Sequence, residues 1–447
     1  MSAGQARARR SLAAHDVFAP PASALRAAAE TIRARLGDWP AAAAQWRFRR
    51  VPSVLAATEL EKGAAAAKGR RLEGMGREGT GSDSAQVPGA ARDDPARSLD
   101  QWTVLIVSTS PVESLRADWH ARGAKIIDVS GATTILIADG ERHALRGTRP
   151  DDWLAALAAF ADCGFALLDA LCLALAWREP DAAFKPADAT DATAAVTSAA
   201  AGSAVASDAD DVSTTAALPP CWPSRLADFP VLSDLPARPR DFPRCPPALG
   251  LYPVVPDAEW VERLIALGVR TIQLRVKTAD PDVRREQIVR AVSAARRAPD
   301  EVRLFINDHW RLAIDAGAYG VHLGQEDMAT ADLDAIAAAG LRLGLSTHGY
   351  YEILRAWHFR PSYIACGAVF PTTTKVVKTA PQGVLRTVAY QRLLGSAVPV
   401  VAIGGIDLAS LPVVLATGVR SAAVVSAVTH SRDLIATVNA LRAAFPA

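Results

Sequence analysis

The sequence contains few cysteines, and their arrangement would hold neither a disulfide framework nor a zinc ion. Its five cysteines are scattered, odd in number and include no Cys-x-x-Cys pair. Scattered thiols of this kind are typical of proteins from reducing compartments. The sequence therefore argues against a secreted fold that depends on disulfides.

Long apolar runs and an excess of one charge are also missing. The most apolar stretch, residues 154–177, is interrupted by Asp162 and Asp169, which predicts two packed helices instead of a membrane span. The formal net charge of +2 steers the chain toward neither nucleic acid nor a membrane. The Arg- and Ala-rich start has no apolar signal core, so we expect a cytoplasmic protein, with an organellar transit peptide as the alternative.

Two segments of low complexity divide the chain. Residues 63–100 are rich in Gly, Ala, Arg, Asp and Ser, and much of 179–244 consists of Ala, Asp, Thr and Ser. Such segments bury too little apolar surface to offset chain entropy, so both are predicted to be disordered linkers. They leave a helical, partly disordered N-terminal segment, a small degenerate α/β module and a C-terminal domain, over residues 1–62, 101–178 and 245–447.

The C-terminal domain alternates short apolar runs with helical patterns that end in Gly, a residue suited to a helix C-cap. Most runs are continuously apolar, as strands buried on both faces are. Eight such units in about 200 residues predict a (β/α)8 TIM barrel. The alternative, a doubly wound open sheet, is weakened because no Gly-rich phosphate loop follows the first strand. The predicted strands are Leu251–Val255, Thr271–Val276, Arg303–Ile306, Gly320–Leu323, Arg342–Leu345, Tyr363–Ala368, Val398–Ile403 and Ser421–Val425.

Basic and amide side chains alternate at the end of the second predicted strand. In a TIM barrel, reactive groups lie where strands end and the following loops begin. Alternation puts Gln273, Arg275 and Lys277 on one face of this strand. Two cations and an amide on one face suit a phosphate or a diphosphate, so we expect an anion-binding site here.

Two carboxylates follow the next two strands. Asp308 comes after the third strand and Asp327 after the fourth. Mg²⁺ typically takes one or two carboxylates and fills its other positions with water and substrate phosphate. The pair therefore predicts a magnesium site beside the basic residues, although either Asp alone could instead cap the following helix.

A second phosphate site is expected at the last two strand ends. Gly404-Gly405 follows the seventh strand, and Ser426 follows the eighth. Backbone amides of these two loops often bind phosphate in barrels, and glycine lets the backbone approach closely. The glycine pair could also be only a tight turn. His322, inside an apolar strand, is interpreted as a buried histidine with satisfied hydrogen bonds, and His348 at the predicted mouth receives no role.

Seven motifs in these positions resemble, in order and spacing, those of thiamine-phosphate synthase. They are QLRVK, INDHWRLA, GVHLGQEDM, GLSTH, FPTTTK, VAIGGI and VVSAV, and they span about residues 249–435. The family joins hydroxymethylpyrimidine diphosphate to a thiazole phosphate and releases pyrophosphate. The resemblance implies a Mg²⁺-dependent transferase of thiamine biosynthesis whose partners are small-molecule substrates.

The resemblance also implies roles for individual residues, by motif. The pyrimidine diphosphate would be bound by Gln273, Arg275, Lys277, Asn307, Ser346 and Lys375. The thiazole phosphate would contact Thr372, Thr374, Gly405, Val425 and Ser426. Mg²⁺ would be bound by Asp308 and Asp327. Val276 departs from the family, which often has an acidic residue there, but by alternation its side chain faces away from the substrate.

Two other functions are possible on the same barrel. A thiazole tautomerase-like isomerase would bind only the thiazole phosphate and would not need both Asp308 and Asp327 or the diphosphate-binding Lys375. A non-catalytic regulator would bind thiamine intermediates without turning them over.

Residues 101–178 resemble the C-terminal end of a hydroxymethylpyrimidine-phosphate kinase of the ribokinase type. In that family a Gly-Thr-Gly turn starts a helix and forms an anion hole. Here the turn is Gly147-Thr148-Arg149-Pro150, which lacks the second glycine, and the module is too short for a complete kinase. The resemblance implies a remnant without kinase activity that serves packing or regulation.

Overall fold

The computed structural model shows a closed barrel and a separate six-stranded sheet. Among the residues that it describes, no helix is long and apolar enough to cross a membrane. The predicted linker 63–100 lies outside them. The described residues are 22–37, 54–56, 105–108, 125–138, 140–178, 218–372 and 379–445.

The N-terminal module is built on the six-stranded sheet, whose strands follow one another in sequence order. The first three strands are parallel, and the last three run antiparallel to their neighbours. The strands are β1 Val54–Ala56, β2 Leu105–Ser108, β3 Lys125–Asp128, β4 Thr133–Ala138, β5 Glu141–Arg146 and β6 Val231–Leu232. The helices described before the barrel are α1 Ala22–Arg35, α2 Trp153–Asp162 and α3 Leu167–Ala176.

Eight parallel strands close the C-terminal barrel in sequence order, and the last pairs with the first. The predicted (β/α)8 barrel is therefore confirmed, with strand ends that differ from prediction by one or two residues. The strands are β7 Gly250–Val255, β8 Thr271–Leu274, β9 Arg303–Asn307, β10 Gly320–Leu323, β11 Arg342–Thr347, β12 Tyr363–Gly367, β13 Val400–Ile403 and β14 Ser421–Val424. The helices are α4 Ala258–Ala266, α5 Pro281–Arg297, α6 Trp310–Ala316, α7 Gln325–Thr330, α8 Leu333–Ala338, α9 Tyr350–His358, α10 Gly383–Leu394, α11 Leu411–Ala416, α12 Ser426–Thr429 and α13 Leu434–Ala443.

Several barrel helices begin at an aspartate that caps them. Asp257 accepts a hydrogen bond from the Trp260 amide, and Asp332 accepts one from the Ala335 amide, each at 2.9 Å. Asp280 and Asp433 cap α5 and α13 in the same way. A side-chain oxygen at this position satisfies an amide that the helix itself leaves unpaired. Each of these aspartates therefore stabilises the first turn of its helix and marks where that helix begins.

Residues 218–244 are packed against the rest of the protein, although they were predicted to be part of a disordered linker. Strand β6 lies in this segment and pairs with β5. Trp222, Phe229 and Phe242 in the same segment are buried. The prediction of a disordered linker over 179–244 is therefore wrong for this C-terminal part, because its large aromatic side chains bury enough surface to order it. Residues 179–217 lie outside the described residues.

Aromatic side chains join the module to the barrel. The indole nitrogen of Trp222 donates a hydrogen bond of 2.9 Å to the hydroxyl of Tyr350, the first residue of α9. Phe229 stacks on the same Tyr350 ring, with 5.6 Å between centroids, and Phe165 lies 5.9 Å from it. The module and the barrel therefore share one buried core around Tyr350.

Asp169 of α3 makes a polar contact across this boundary. Its Oδ1 accepts a hydrogen bond of 2.9 Å from the Tyr351 amide. Burial raises the pKa of Asp169 to about 6, an effect that the Tyr351 amide and the Arg386 guanidinium partly offset and that Glu352 reinforces. Helix α3, predicted from an apolar run, thus carries a buried acid at the boundary between the module and the barrel.

Replacing Trp222 tests whether residues 218–244 belong to the folded core. Trp222→Ala should lower the free energy of unfolding by about 3–5 kcal/mol, because it removes a large buried ring and leaves a cavity. Trp222→Phe keeps most of the ring and should cost clearly less. Denaturant unfolding of the full chain measures both changes. A Trp222→Ala variant within about 1 kcal/mol of the wild type would show that the segment contributes little to the core.

The raised pKa of Asp169 gives a prediction about pH. The folded state holds this proton up to about pH 6, whereas the unfolded chain loses it near 3.8. Stability should therefore fall by about 3 kcal/mol as pH rises from about 4 to about 6, and it should change no further above that range on account of this group. Asp169→Asn should remove this component. Unfolding curves of both proteins at several pH values measure it, and parallel pH profiles would contradict it.

Candidate active site

A cavity of about 360 Å³ opens at the carboxyl ends of the barrel strands. Each of the eight strands, or the residue directly after it, contributes to its lining. In a closed parallel barrel these ends all point to the same side, so residues far apart in sequence meet there. The cavity is therefore where the predicted site residues should be sought.

Ten of the thirteen predicted site residues line this one cavity. Lys277 does not, and its side chain is exposed, because β8 ends at Leu274 and strand alternation does not continue to residue 277. Thr374 and Lys375 lie outside the described residues. The residues that do line it are Gln273, Arg275, Asn307, Asp308, Asp327, Ser346, Thr372, Gly405, Val425 and Ser426.

Asp308 adopts a backbone conformation that is unusual for a residue other than glycine. Its φ is +63°, and its amide donates a hydrogen bond of 3.0 Å to the carbonyl of His322 on the neighbouring strand. Aspartate tolerates the left-handed region better than most residues, and such conformations concentrate at functional sites. The N-cap of α6 is His309, so the alternative that Asp308 only caps this helix does not describe its position.

Asp327 lies in the first turn of α7 and also lines the cavity. It is the third residue of α7, and its Oδ2 accepts a hydrogen bond of 3.2 Å from the Gly324 amide. Asp327 is therefore not the N-cap itself, which is Gly324, although one of its oxygens binds the N-cap amide. The same residue lines the cavity together with Asp308 and Glu326.

The donor set fits a hard divalent cation. Asp308, Glu326 and Asp327 are all carboxylates, and Mg²⁺ prefers oxygen ligands. Within the described ranges no three His, Cys, Asp or Glu side chains converge closely enough to enclose a metal by themselves. Mg²⁺ does not require such an enclosure, because it usually takes one or two carboxylates and completes its shell with water and substrate phosphate.

The charges of the lining also favour a cation. Arg275 is the only Arg or Lys among the described lining residues, against three carboxylates. Burial and the nearby Arg284 lower the pKa of His309, beside Asp308, so this ring adds no charge at neutral pH. These described lining residues carry a net negative charge, which a divalent cation bound with a diphosphate would offset.

A chain of hydrogen bonds runs through the barrel interior below the cavity. His322 is buried and bonds through its two ring nitrogens to Ser346 Oγ and Tyr363 Oη, each at 2.7 Å. The Tyr363 hydroxyl shares a hydrogen bond of 2.8 Å with the Tyr252 hydroxyl, and Gln273 Nε2 donates one of 3.4 Å to the same Tyr252 oxygen. Burial raises the pKa of both tyrosines, so they stay neutral. The prediction of a satisfied buried histidine is confirmed, and the chain connects Ser346 with Gln273.

Three ionisable lining residues received no catalytic or binding role from the sequence: His322, Glu326 and His348. His348 directly follows β11. Glu352 of α9 accepts a hydrogen bond of 2.8 Å from the His348 backbone amide, and the same carboxylate shares a second one of 2.8 Å with His348 Nδ1. The rule that reactive groups lie at strand ends could have found His348, which directly follows β11. His322 could have been found by alternation along β10, which turns it to the barrel interior.

The glycine pair after β13 is required by its surroundings. Gly404 has φ +105° and Gly405 has φ +65°. A Cβ at Gly405 would lie 2.5 Å from the Pro371 carbonyl oxygen, and one at Gly404 would collide with Ala368. The backbone here packs against the loop after β12, and Gly404, Gly405, Thr372 and Ser426 form one side of the cavity. Exposed backbone and hydroxyl groups in this arrangement suit a phosphate.

Comparison with known proteins identifies relatives of the barrel. The family model for thiamine monophosphate synthase matches residues 251–428. A thiamine-phosphate synthase from Neisseria meningitidis serogroup A is 57% identical over 195 residues, which cover 44% of this chain and 94% of that protein. A thiamine-phosphate synthase from Salmonella paratyphi A is 55% identical over 193 residues, 43% of this chain and 90% of that protein. The solved thiamine phosphate pyrophosphorylase of Pyrococcus furiosus is 30% identical, with a TM-score of 0.39 and coverage of 44% of this chain and 95% of that one.

A substitution at Gly405 tests the tight packing of this wall. Gly405→Ala should destabilise the protein, since it adds a steric clash with Pro371 to the cost of a positive φ. Gly340→Ala is the matched control, because Gly340 has φ +72° and nothing within 4 Å of an added Cβ. The two thermal unfolding curves should differ by about 1–3 kcal/mol. Equal destabilisation would mean that the wall tolerates a side chain at position 405.

Proposed function

The chain belongs to the thiamine-phosphate synthase family through its C-terminal barrel, and from this membership we propose its reaction in detail. The barrel couples hydroxymethylpyrimidine diphosphate with a thiazole phosphate or carboxythiazole phosphate, and it releases thiamine phosphate and pyrophosphate with the help of Mg²⁺. From the carboxylated substrate, the carboxyl group also leaves as carbon dioxide. The observation that carries the proposal is the meeting of ten residues, selected by motif, in one cavity. Small-molecule substrates and a cytoplasmic location are part of the proposal.

The pyrimidine diphosphate is proposed to bind on the side of β8, β9 and β11. Gln273 and Asn307 offer amides, Ser346 offers a hydroxyl that His322 orients, and Arg275 offers a guanidinium for phosphate oxygens. Lys375 and Lys277 would add cations by the family motif. Asp308 and Asp327 would hold Mg²⁺, which, when bound, would offset the charge of the diphosphate.

The thiazole phosphate is proposed to bind on the opposite side, at β13 and β14. The bare backbone of Gly404-Gly405 lets a phosphate approach closely, and Ser426 and Thr372 add hydroxyl donors. Thr374 would join them by the family motif. Two separate phosphate anchors hold the two substrates at a fixed distance and orientation, which removes much of the entropic barrier to their reaction.

The proposed reaction breaks the bond between the pyrimidine methylene carbon and the diphosphate oxygen. Pyrophosphate leaves with the electron pair, and the pyrimidine ring stabilises the remaining methylene cation. The lone pair of the thiazole nitrogen then forms the new carbon–nitrogen bond. This nitrogen carries no proton to remove, so the chemistry needs no general base, and the side chains act by binding the leaving group and aligning the partners.

The two alternatives explain less of the cavity. An isomerase that binds only thiazole phosphate would not need Asp308 and Asp327 beside Arg275. A non-catalytic regulator would bind the same ligands without turnover. Family membership and the conjunction of carboxylates with two phosphate-binding sides favour the synthase.

Replacement of Asp308 tests the metal-dependent step. Asp308→Asn suits the positive φ, since asparagine also tolerates it, but it removes a carboxylate ligand. Pyrophosphate release by the full chain, with both substrates and Mg²⁺, should fall by about 10²-fold or more. The matched control is Asp332→Asn, an exposed helix cap outside the cavity, which should keep full activity. Near-normal turnover of Asp308→Asn would count against the proposed metal site.

A further inference from the structure

We propose that the N-terminal module positions the active-site loops of the barrel by holding the first turns of two barrel helices. Asp169 on α3 holds the start of α9, and the turn at Gly164 and Phe165 holds the start of α10. The inference rests on the proposed function, because Ser346 lies near the end of β11, just before the start of α9, and Thr372 lies in the loop that precedes α10.

The start of α9 lacks a cap of its own. Its N-cap residue is Gly349, which has no side chain to accept a hydrogen bond, whereas α4, α5, α8 and α13 are capped by their own aspartates. The acceptor comes instead from the module. Asp169 is buried against Gly349, and its Oδ1 accepts a hydrogen bond from the Tyr351 amide. A residue 182 positions away thus takes the role of a local cap.

This contact lies directly beside the cavity. Ser346, Thr347 and His348 line the cavity and immediately precede Gly349. His348 is also held by Glu352 in the first turn of α9. A shift of the α9 start would therefore move the side of the cavity to which we assign the pyrimidine diphosphate.

The second contact reaches the loop after β12. Arg386, in the first turn of α10, donates a hydrogen bond of 2.7 Å to the Gly164 carbonyl, and its guanidinium lies 4.2 Å from the Phe165 ring centroid. It also donates to the Gln382 side chain at 3.2 Å. The backbone amide of Gln382 in turn donates a hydrogen bond of 2.7 Å to the carbonyl of Ala368, which lines the cavity. The module thereby reaches the side of the cavity that includes Thr372.

The two contacts lead to different kinetic effects, which general destabilisation would not produce. In the full chain, Asp169→Ala should raise the KM for the pyrimidine diphosphate by about tenfold, the equivalent of a lost helix cap. It should change the KM for the thiazole phosphate much less. Arg386→Met should show the reverse order, because its contact lies on the other side of the cavity.

Two further variants separate positioning from folding. Asp169→Asn keeps one of the two acceptor oxygens, so it should partly restore the KM for the pyrimidine diphosphate. Leu157→Ala removes a buried side chain of α2 and should lower the melting temperature while leaving both KM values unchanged.

Hydrogen exchange of the amides at 349–354 gives a readout that does not depend on turnover, and Asp169→Ala should raise their exchange rate by about tenfold. Unchanged exchange and unchanged KM values in Asp169→Ala would overturn the positioning role and leave the proposed function intact. If the wild type releases no pyrophosphate, the proposed function fails, and the exchange measurement alone decides the positioning role. If Asp169→Ala does not fold, Asp169→Asn and Arg386→Met decide it by the same two readouts. Equal KM changes for both substrates in every variant, Leu157→Ala included, would also contradict it.

Discussion

The closure of eight parallel strands into a barrel is the constraint on which the rest of the structure depends. Because the register of each pair continues into the next and β14 pairs with β7, all eight strand ends meet at one cavity. Residues as far apart as Gln273 and Ser426 become neighbours only through this closure. The inner side chains that fill the barrel, such as Tyr252, Phe305 and Tyr363, form the floor beneath the cavity.

The charge of that cavity explains why a metal fits the proposed chemistry. Three carboxylates and one guanidinium line its described part, which is unfavourable for two phosphorylated substrates without a further cation. The hydrogen-bonded chain from Ser346 to Gln273 orients these side chains beneath the cavity. Substrate anions and a divalent cation would therefore depend on each other for binding, which suits a reaction whose leaving group is pyrophosphate.

Much of the barrel and its site could be predicted from the sequence because both follow local rules. Continuous apolar runs marked the strands, and polar residues at their ends marked the cavity, including Asp308 and Asp327. Lys277 does not line the cavity, because β8 ends at Leu274 and the alternation that grouped it with Gln273 stops there. The role of Asp169 could not be read locally, since its partner Tyr351 is 182 residues away. Residues 218–244 were misjudged because composition concealed the aromatic rings that order them.

The most direct test of this account is the binding of pyrophosphate to the full chain, measured by titration calorimetry with Mg²⁺ and with a chelator. Metal-assisted binding in a cavity whose described lining carries three carboxylates and one guanidinium predicts that Mg²⁺ strengthens the affinity by about tenfold or more, equivalent to about 1.4 kcal/mol. Pyrophosphate that binds equally well without a divalent cation would contradict the central claim that carboxylates, metal and phosphate form one site.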